Sequence, residues 1–352
     1  MPDRRPWMIY GATGYTGELV AREARRQGLA PIVAGRSSRV TALAAELGLP
    51  SRVFSLADLP AARRALDGVA VLANCAGPFT ATFAPMLDTC LAARAHYVDI
   101  TGEIDVFLAA EKRRDEARVA GIVVCPGVGF DVIPTDCVAA CLVEALSDAT
   151  HLALGFRGLP VMSPGTARTS VEGSRHGGRI RRNGAIVTEP LGERTRTIDF
   201  GNGPRLAMAI PWGDVATAYF TTGIANVEVY VPVSHNTIAR LRQLAWMQPL
   251  LRAWPVRAVA SSAAAWRNPG PSQKQRDTEK TWVWGEARND AGVVRTAHLV
   301  TSNGYRLTVD GVLMAVRALL ARAPGAGYFT PSQLLGARCV ERLPGCSAIT
   351  IK

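Results

Sequence analysis

The segment Gly11-Ala-Thr-Gly14-Tyr-Thr-Gly17 stands between an apolar run, Trp7–Tyr10, and an amphipathic stretch over 17–28. Glycines at three-residue spacing in that position permit a turn too tight for side chains. They also bring the backbone close to whatever occupies the N-terminus of the following helix. A glycine-rich heptad alone is a weak signal, but here the context carries it. Through residue 130, short apolar β-type runs alternate with helical ones. Strands are expected at 7–10, 31–34, 52–56, 69–74, 97–100 and 122–125, and helices at 17–28, 38–47, 60–67, 84–94 and 105–120. Such alternation implies parallel strands joined by crossover helices, an α/β doubly wound parallel sheet of the Rossmann type.

After Pro126-Gly-Val-Gly129 the pattern changes. An apolar helix is expected over 134–146. β-type runs follow at 150–157, 185–188, 194–199, 205–210, 215–221, 225–232, 281–287, 293–301 and 305–309. Asn183-Gly184 and Asp290-Ala-Gly292 are turn signals between them. The stretch 236–266 is helical in pattern but interrupted by Pro249 and Pro255, and a last helix is expected over 310–322. The expected division is a nucleotide-binding domain over 1–130 and a second α+β domain over 131–309. The latter would be built on a mixed or antiparallel sheet and serve substrate binding and dimerisation. The remainder, 310–352, is the part that can return to the first domain.

A helix N-terminus preceded by such a loop favours a phosphate group. Gly11, Thr13, Gly14, Tyr15, Thr16 and Gly17 are therefore candidates for contact with a dinucleotide pyrophosphate. The second strand ends in Ala34-Gly35-Arg36-Ser37. An acidic residue at this point would take the ribose 2′-hydroxyl of NAD, whereas an arginine suits a 2′-phosphate. Arg36 with Ser37, and Arg39 behind them, thus point to NADP(H); a solvated surface arginine is the ordinary alternative for Arg36. The fourth strand runs into Asn74-Cys-Ala76-Gly77-Pro78, small residues at a strand's carboxyl end that leave room for the nicotinamide half. Asp58 could approach the adenine, but as the residue two before Pro60 it reads more simply as a helix N-cap.

A length of 352 residues suits two domains, and 48% apolar residues supply their cores. No run approaches the roughly 20 apolar residues of a membrane-spanning helix. The start, Met1-Pro-Asp-Arg-Arg-Pro6, lacks the apolar core of a secretory signal. The seven cysteines form no C-x-x-C pair. Cys75, Cys125, Cys137 and Cys141 lie in apolar runs and read as buried thiols of a reducing compartment, so the expected location is cytoplasmic. The five histidines are scattered with no H-x-x-x-H, and no metal site is expected. The formal net charge is +11, and only four of the 40 basic residues are lysine. This excess favours an acidic partner or a phosphate-rich ligand. The basic residues are too dispersed for a nucleic-acid surface.

Five motifs together resemble the saccharopine dehydrogenase-like family. They are Gly11–Gly17, Ala34-Gly-Arg36, Asn74-Cys-Ala-Gly-Pro-Phe79, Tyr97-Val-Asp-Ile-Thr-Gly-Glu103 and Pro126-Gly-Val-Gly-Phe-Asp131. Gly165-Thr-Ala-Arg-Thr169, Gly270-Pro-Ser272, Trp284-Gly-Glu-Ala287 and Thr330-Pro-Ser332 are similar to the branch called trans-acting enoyl reductases. The resemblance implies NADPH-dependent reduction of a C=C bond in an acyl or polyketide chain held on a carrier protein, by a homodimer. Other relatives form or cleave secondary amines through an imine. No lysine falls in these motifs, which argues against a lysine-based acid/base scheme. The third alternative is a non-catalytic NADP-binding protein associated with a membrane.

Reducing an enoyl thioester requires hydride at the β-carbon, a donor for the enolate oxygen and a proton at the α-carbon. Asp99, Glu103 and Asp131 follow the ends of strands five and six. Gly102 and Glu103 could orient the nicotinamide or ribose, and Asp131 could carry the proton or stabilise an iminium. Helix capping or a structural hydrogen bond is the ordinary role for each, and the favoured one for Asp99. Tyr219 could donate to an enolate, although a half-buried strand tyrosine is the plainer reading; Arg168, Thr169, Arg175 and His176 are the other polar candidates. Trp246–Trp254 and Val256–Trp266 combine apolar bulk with arginines. They are expected to form core helices or a lid over an acyl chain, peripheral membrane contact being the alternative. An arginine-rich rim would suit an acidic acyl carrier protein.

Overall fold

The computed structural model describes residues 5–158, 163–165, 177–244, 270–321 and 325–352. The chain forms two compact units. The first comprises Met1–Thr101, Asp105–Phe130 and Leu307–Leu335, and the second Gly102–Ile104, Asp131–Arg306 and Gly336–Lys352. The segments 166–176 and 245–269, with Arg168, Thr169, Arg175, His176 and the tryptophan-rich stretch, lie outside the described residues.

In the first unit, β1 (Trp7–Tyr10), α1 (Tyr15–Arg26), β2 (Ile32–Gly35), α2 (Arg39–Leu47), β3 (Ser51–Val53), α3 (Leu59–Ala65) and β4 (Val71–Asn74) follow in order. They continue with α4 (Phe79–Ala93), β5 (His96–Asp99), α5 (Ile104–Lys112), α6 (Arg114–Ala120) and β6 (Val123–Cys125). All strand pairs are parallel, in the order β6-β5-β4-β1-β2-β3, with the short strand Gly327–Tyr328 added beside β6. β1, β2 and β4 are buried along their whole length, so their sequences are apolar on both faces rather than alternating, up to Asn74 at the end of β4. α1 buries Gly17, Val20, Ala21 and Ala24, the three- and four-residue spacing of one helix face. Its Glu18 and its Arg25 and Arg26 complement the helix dipole at either end. Asp58 caps α3 by accepting from the Ala61 N–H at 3.0 Å, the simpler of its two expected roles. The helix expected over 105–120 is broken at Arg113, whose backbone leaves the helical region while its side chain bridges Asp88 and Glu116.

The second unit contains α7 (Ile133–Ala145), β7 (His151–Arg157), β8 (Gly178–Arg182), β9 (Ala185–Glu189), β10 (Thr195–Asp199), β11 (Pro204–Ala209) and α8 (Asp214–Thr222). It continues with β12 (Asn226–Pro232), α9 (His235–Leu244), α10 (Gln273–Thr278), β13 (Lys280–Arg288), β14 (Val294–Ser302) and the start of α11 (Gly304–Ala321). Its nine-stranded sheet runs β10-β11-β12-β7-β13-β14 and ends on the strand Thr350–Ile351, with the β8–β9 hairpin attached to β12. Only β12 and β7 pair in parallel, so the sheet is mixed. The hairpin turns on Asn183 and Gly184, both at positive φ (49° and 80°), as an Asn-Gly turn between twisted strands requires. The run 310–352 divides at Gly336, because Thr350–Ile351 pairs with β14.

Two stretches with strand-like composition are helical. Residues 215–221, with Tyr219, belong to α8, and 305–309 opens α11. In both, β-branched and aromatic residues suggest strand, but tertiary burial decides: α8 packs its buried residues Val215, Ala216 and Ala218 against α7 and β12.

The helix α7 is buried from Ile133 through Leu142 and lies on β13 and β14. Gly285 makes that approach available, since a Cβ there would fall 2.5 Å from Val138 Cγ1 and 2.8 Å from Leu142 Cδ1. Gly285→Ala is expected to lower stability by about 1–3 kcal/mol through overpacking, measured as the urea midpoint at unchanged slope.

Candidate functional site

Each glycine of the loop after β1 meets a distinct steric demand. Gly11 has φ +81°, and a Cβ there would stand 2.8 Å from the Ala76 nitrogen. Gly14 is the N-cap of α1 and offers no side-chain cap, and a Cβ on it would come 3.2 Å from the Gly11 oxygen. At Gly17 a Cβ would collide with the Gly11 carbonyl, whose carbon would be 2.9 Å away. The loop is thus folded onto itself and onto the end of β4, with backbone rather than side chains facing the start of α1. That surface fits a pyrophosphate, which needs close N–H donors and the positive end of a helix.

The ends of β2 and β4 flank this loop. Gly11 and Ala12 both donate to the Ala34 carbonyl, at 2.9 and 3.1 Å. Arg36 is exposed, Ser37 accepts from the Arg39 N–H at 3.3 Å, and Arg39 Nη2 reaches the Thr13 carbonyl at 3.5 Å. The fold therefore carries two arginines on the loop's flank. Asn74, fully buried, donates to Thr82 Oγ1 at 3.2 Å and to Tyr97 Oη at 3.3 Å, and accepts from the Ala76 N–H at 3.1 Å. It holds the turn Ala76-Gly77-Pro78 open at the strand end, with Gly77 exposed. Cys75 beside it is a poor nucleophile, since burial, aided by the Asp99 charge, pushes its thiol up to about 12.

Asp99 organises the ends of β5 and β6. Its carboxylate accepts from the Tyr97 hydroxyl at 2.7 Å and from the Thr101 and Gly127 N–H groups at 3.0 and 2.9 Å. These contacts give it a structural role.

In the second unit, Gly102, Glu103 and Asp131 come together. A Cβ on Gly102 would fall 2.9 Å from Asp131 Oδ2, so the carboxyl of Asp131 rests on the bare face of this glycine. The Asp131 carbonyl accepts from Trp212 Nε1 at 2.8 Å, and Trp212 packs at a tilt against Phe156 with centroids 4.9 Å apart. Asp131 keeps some accessible surface, yet its carboxyl group is enclosed. Burial, reinforced by the Glu103 charge, raises its pKa to about 7. Tyr219 lies elsewhere, on α8, where its ring sits under the Arg181 guanidinium, 4.2 Å from the centroid.

Sequence reasoning missed Asp136 and Asp214. Both are fully buried, Asp136 in the first turn of α7 and Asp214 opening α8. Asp136 accepts from Thr221 Oγ1 at 2.5 Å. Single acids at helix starts look like ordinary dipole partners, and only the packing of α7 on α8 reveals that they are enclosed together. No group of three His, Cys, Asp or Glu among the described residues could hold a metal ion.

Residues 7–125 match the family described as the saccharopine dehydrogenase NADP binding domain. That stretch is similar to the NADP-binding domain of saccharopine dehydrogenases. A trans-acting enoyl reductase of Mycobacterium leprae is 33% identical over 147 residues, 38% of this chain and 35% of that one. A human saccharopine dehydrogenase-like oxidoreductase is 32% identical over 157 residues, covering 38% and 37%. The aligned part thus spans less than half the length of either relative. Over 99% of both chains the fold is similar to that of the glutamate-forming saccharopine dehydrogenase of Saccharomyces cerevisiae, with a TM-score of 0.65 at 14% identity.

If Arg36 meets the 2′-phosphate, Arg36→Ala weakens NADPH binding by roughly ten- to a hundredfold while leaving NADH binding nearly unchanged. Fluorescence titration of both nucleotides tests this, and equal losses for the two would remove the assignment.

Proposed function

We propose that this chain is an NADPH-dependent reductase, acting in the cytoplasm as a homodimer on a C=C bond conjugated to a carbonyl. Its substrate would be an acyl or polyketide chain borne by an acyl carrier protein. The observation that carries this reading is the Asp131 carboxyl, seated on Gly102 and held near neutral pKa by burial and Glu103, in a chain whose first unit binds NADP(H). Bound NADPH supplies the hydride for the β-carbon.

The protein's part is to hold the nucleotide and to deliver a proton. Gly11, Thr13, Gly14, Tyr15, Thr16 and Gly17 cradle the pyrophosphate, Arg36 and Ser37 take the 2′-phosphate, and Asn74 through Pro78 make room at the nicotinamide end. Gly102 lets Asp131 settle where it does, Glu103 sets its proton affinity, and Asp131 gives its proton to the α-carbon. A group with pKa near 7 suits this work, because it is still substantially protonated at neutral pH and recovers its proton readily. Similarity to the enoyl reductase of Mycobacterium leprae supports the substrate class.

Two measurements test the reading. NADPH oxidation is expected with an α,β-unsaturated acyl pantetheine thioester and not with a matched imine; turnover of the imine alone would move the function to amine chemistry. An acid that must be protonated loses activity as pH rises through its pKa. The rate should therefore fall above about pH 7. Glu103→Gln removes a neighbouring negative charge, lowers the Asp131 pKa and should move that falling limb to lower pH. Asp131→Asn should cost about a hundredfold or more in kcat.

A further inference from the structure

In the turn Ala76-Gly77-Pro78, both polar groups of the Ala76 backbone are taken by side chains. Its N–H donates to Asn74 Oδ1 at 3.1 Å, and its carbonyl accepts from the Thr82 hydroxyl at 2.7 Å. Asn74 Nδ2 donates to Thr82 Oγ1 at 3.2 Å, which closes a ring of three hydrogen bonds through Ala76, Asn74 and Thr82. Nδ2 also donates to Tyr97 Oη at 3.3 Å, and Tyr97 donates to Asp99 Oδ2 at 2.7 Å. The direction of each bond follows from the acid. A carboxylate only accepts, so Tyr97 gives it the phenolic proton and offers lone pairs to Asn74. The Asn74 amide nitrogen therefore turns toward Tyr97 and Thr82, and its oxygen toward the Ala76 N–H. Thr82 receives from Asn74 and gives its own proton to the Ala76 carbonyl.

Thr82 is unusual for a helical threonine. Such a residue ordinarily returns its proton to the carbonyl one turn back. Thr89 on the same helix does so, donating to the Pro85 carbonyl at 2.7 Å. Thr82 instead sends its proton out of α4 to a residue of the turn before it. Its neighbour Phe83 is buried edge-on to Tyr97, with centroids 5.5 Å apart, which seats this end of α4 against β5. Ala76 meets the glycine loop as well, since a Cβ on Gly11 would stand 2.8 Å from the Ala76 nitrogen and 2.9 Å from its Cβ. The turn is thus set between the pyrophosphate loop and a hydroxyl anchored on α4. We propose that Thr82 is a positioning residue for the nicotinamide half of NADP(H). Through Ala76 it sets how far Ala76-Gly77-Pro78 stands from the glycine loop, and with it the room left for the ring. The role rests on the reading that this turn borders the nicotinamide. Thr82 acts through Ala76 and Asn74 and need not touch the nucleotide. Without its hydroxyl the Ala76 carbonyl loses this donor, whereas Asn74 stays tied to Tyr97, so the strand end holds and the turn is released.

The test compares two ligands by isothermal titration calorimetry. NADPH carries the nicotinamide, and 2′-phospho-ADP-ribose keeps the adenine, the 2′-phosphate and the pyrophosphate but lacks that ring. Thr82→Val preserves size and branching and removes the hydroxyl. Its Kd for NADPH should rise about tenfold, the scale of one or two net hydrogen bonds, while that for 2′-phospho-ADP-ribose changes by less than about twofold. Thr82→Ser restores the hydroxyl and should bring NADPH affinity back to near the wild-type value. Equal weakening of both ligands, or weakening of neither, would overturn the positioning role, as would failure of the serine to restore affinity. If the valine variant does not fold, Thr82→Ala removes the same hydroxyl without placing a methyl against Ala76, and the same pair of titrations decides.

Gly77→Leu separates the role of Thr82 from the placement of the nicotinamide. Gly77 is exposed in the turn, so a leucine there should obstruct the ring. NADPH binding should weaken by about tenfold or more and 2′-phospho-ADP-ribose binding by less than about twofold. If Gly77→Leu binds NADPH as the wild type does, the turn does not border the nicotinamide and the positioning role falls with that placement. If Gly77→Leu discriminates between the ligands and Thr82→Val does not, the placement stands and the role of Thr82 alone is overturned. Neither titration requires a substrate, so both outcomes are independent of whether the chain reduces a C=C bond or an imine.

Discussion

The buried carboxylate of Asp99 ties together the ends of two neighbouring strands at the points where the chain leaves the first unit. Its side chain takes N–H groups from Thr101, just beyond β5, and Gly127, just beyond β6, while its own carbonyl accepts from Val128 at 2.8 Å. A carboxylate so satisfied tolerates burial, because the hydrogen bonds replace the lost hydration. The residues that leave these anchored ends are Gly102 and Asp131, each the first of its segment in the second unit. Loss of the Asp99 carboxylate would leave the Thr101 and Gly127 donors without this partner and loosen both exits. Asp99 and Asp131 have opposite surroundings: Asp99 is surrounded by donors, while Asp131 is enclosed with another acid, Glu103, acting on it.

The same contrast explains why the second unit can hold so many enclosed carboxyls. Asp136 has a threonine donor and Asp131 retains some accessible surface, whereas Asp214 is fully buried. Enclosing three acids in one region is unfavourable if all are ionised, and proton retention is the way out. Such a site weakens the fold at neutral pH, a cost that proteins carry where a proton is to be used. Buried polar groups elsewhere in the chain are treated differently. Asn74 and Tyr97 share their hydrogen bonds with each other and with Thr82 and Asp99, forming a satisfied network at the carboxyl ends of β4 and β5.

The first unit was legible in the sequence because its signals are local. Glycine spacing, continuous apolar strands and helix caps each act within a few residues, and Gly11, Gly14 and Gly17 stand where those constraints demand. The second unit is governed by contacts distant in sequence. The β8 strand, Gly178-Arg-Ile-Arg-Arg182, hides its inward face because Arg181 is itself buried, held by carbonyls and an aromatic ring instead of water. Tyr219 sits in a run of strand-forming residues that becomes helix because α7 offers that run a buried face. Asp214 carries no sequence mark at all. Its chemistry depends on the enclosure of Asp131, Asp136 and Thr135 around it, which is a property of packing and not of pattern.

The arginine excess also changes meaning once the side chains are placed. Arg22 bridges Glu18 and Glu46, Arg113 bridges Asp88 and Glu116, Arg194 bridges Glu189 and Glu228, and Arg196 pairs with Glu286. Arg196 also lies over Trp284 and Tyr230, so its long side chain covers aromatic surface as well as carrying charge. Pairs this exposed add little stability, but they cancel field at the distances over which a partner would be steered. Net charge alone therefore overstates the pull on an acidic carrier protein. Arg36, exposed at the end of β2, stands outside these pairs. Charge carried in such pairs acts within a few ångströms of its partner and gives the surface little directional field.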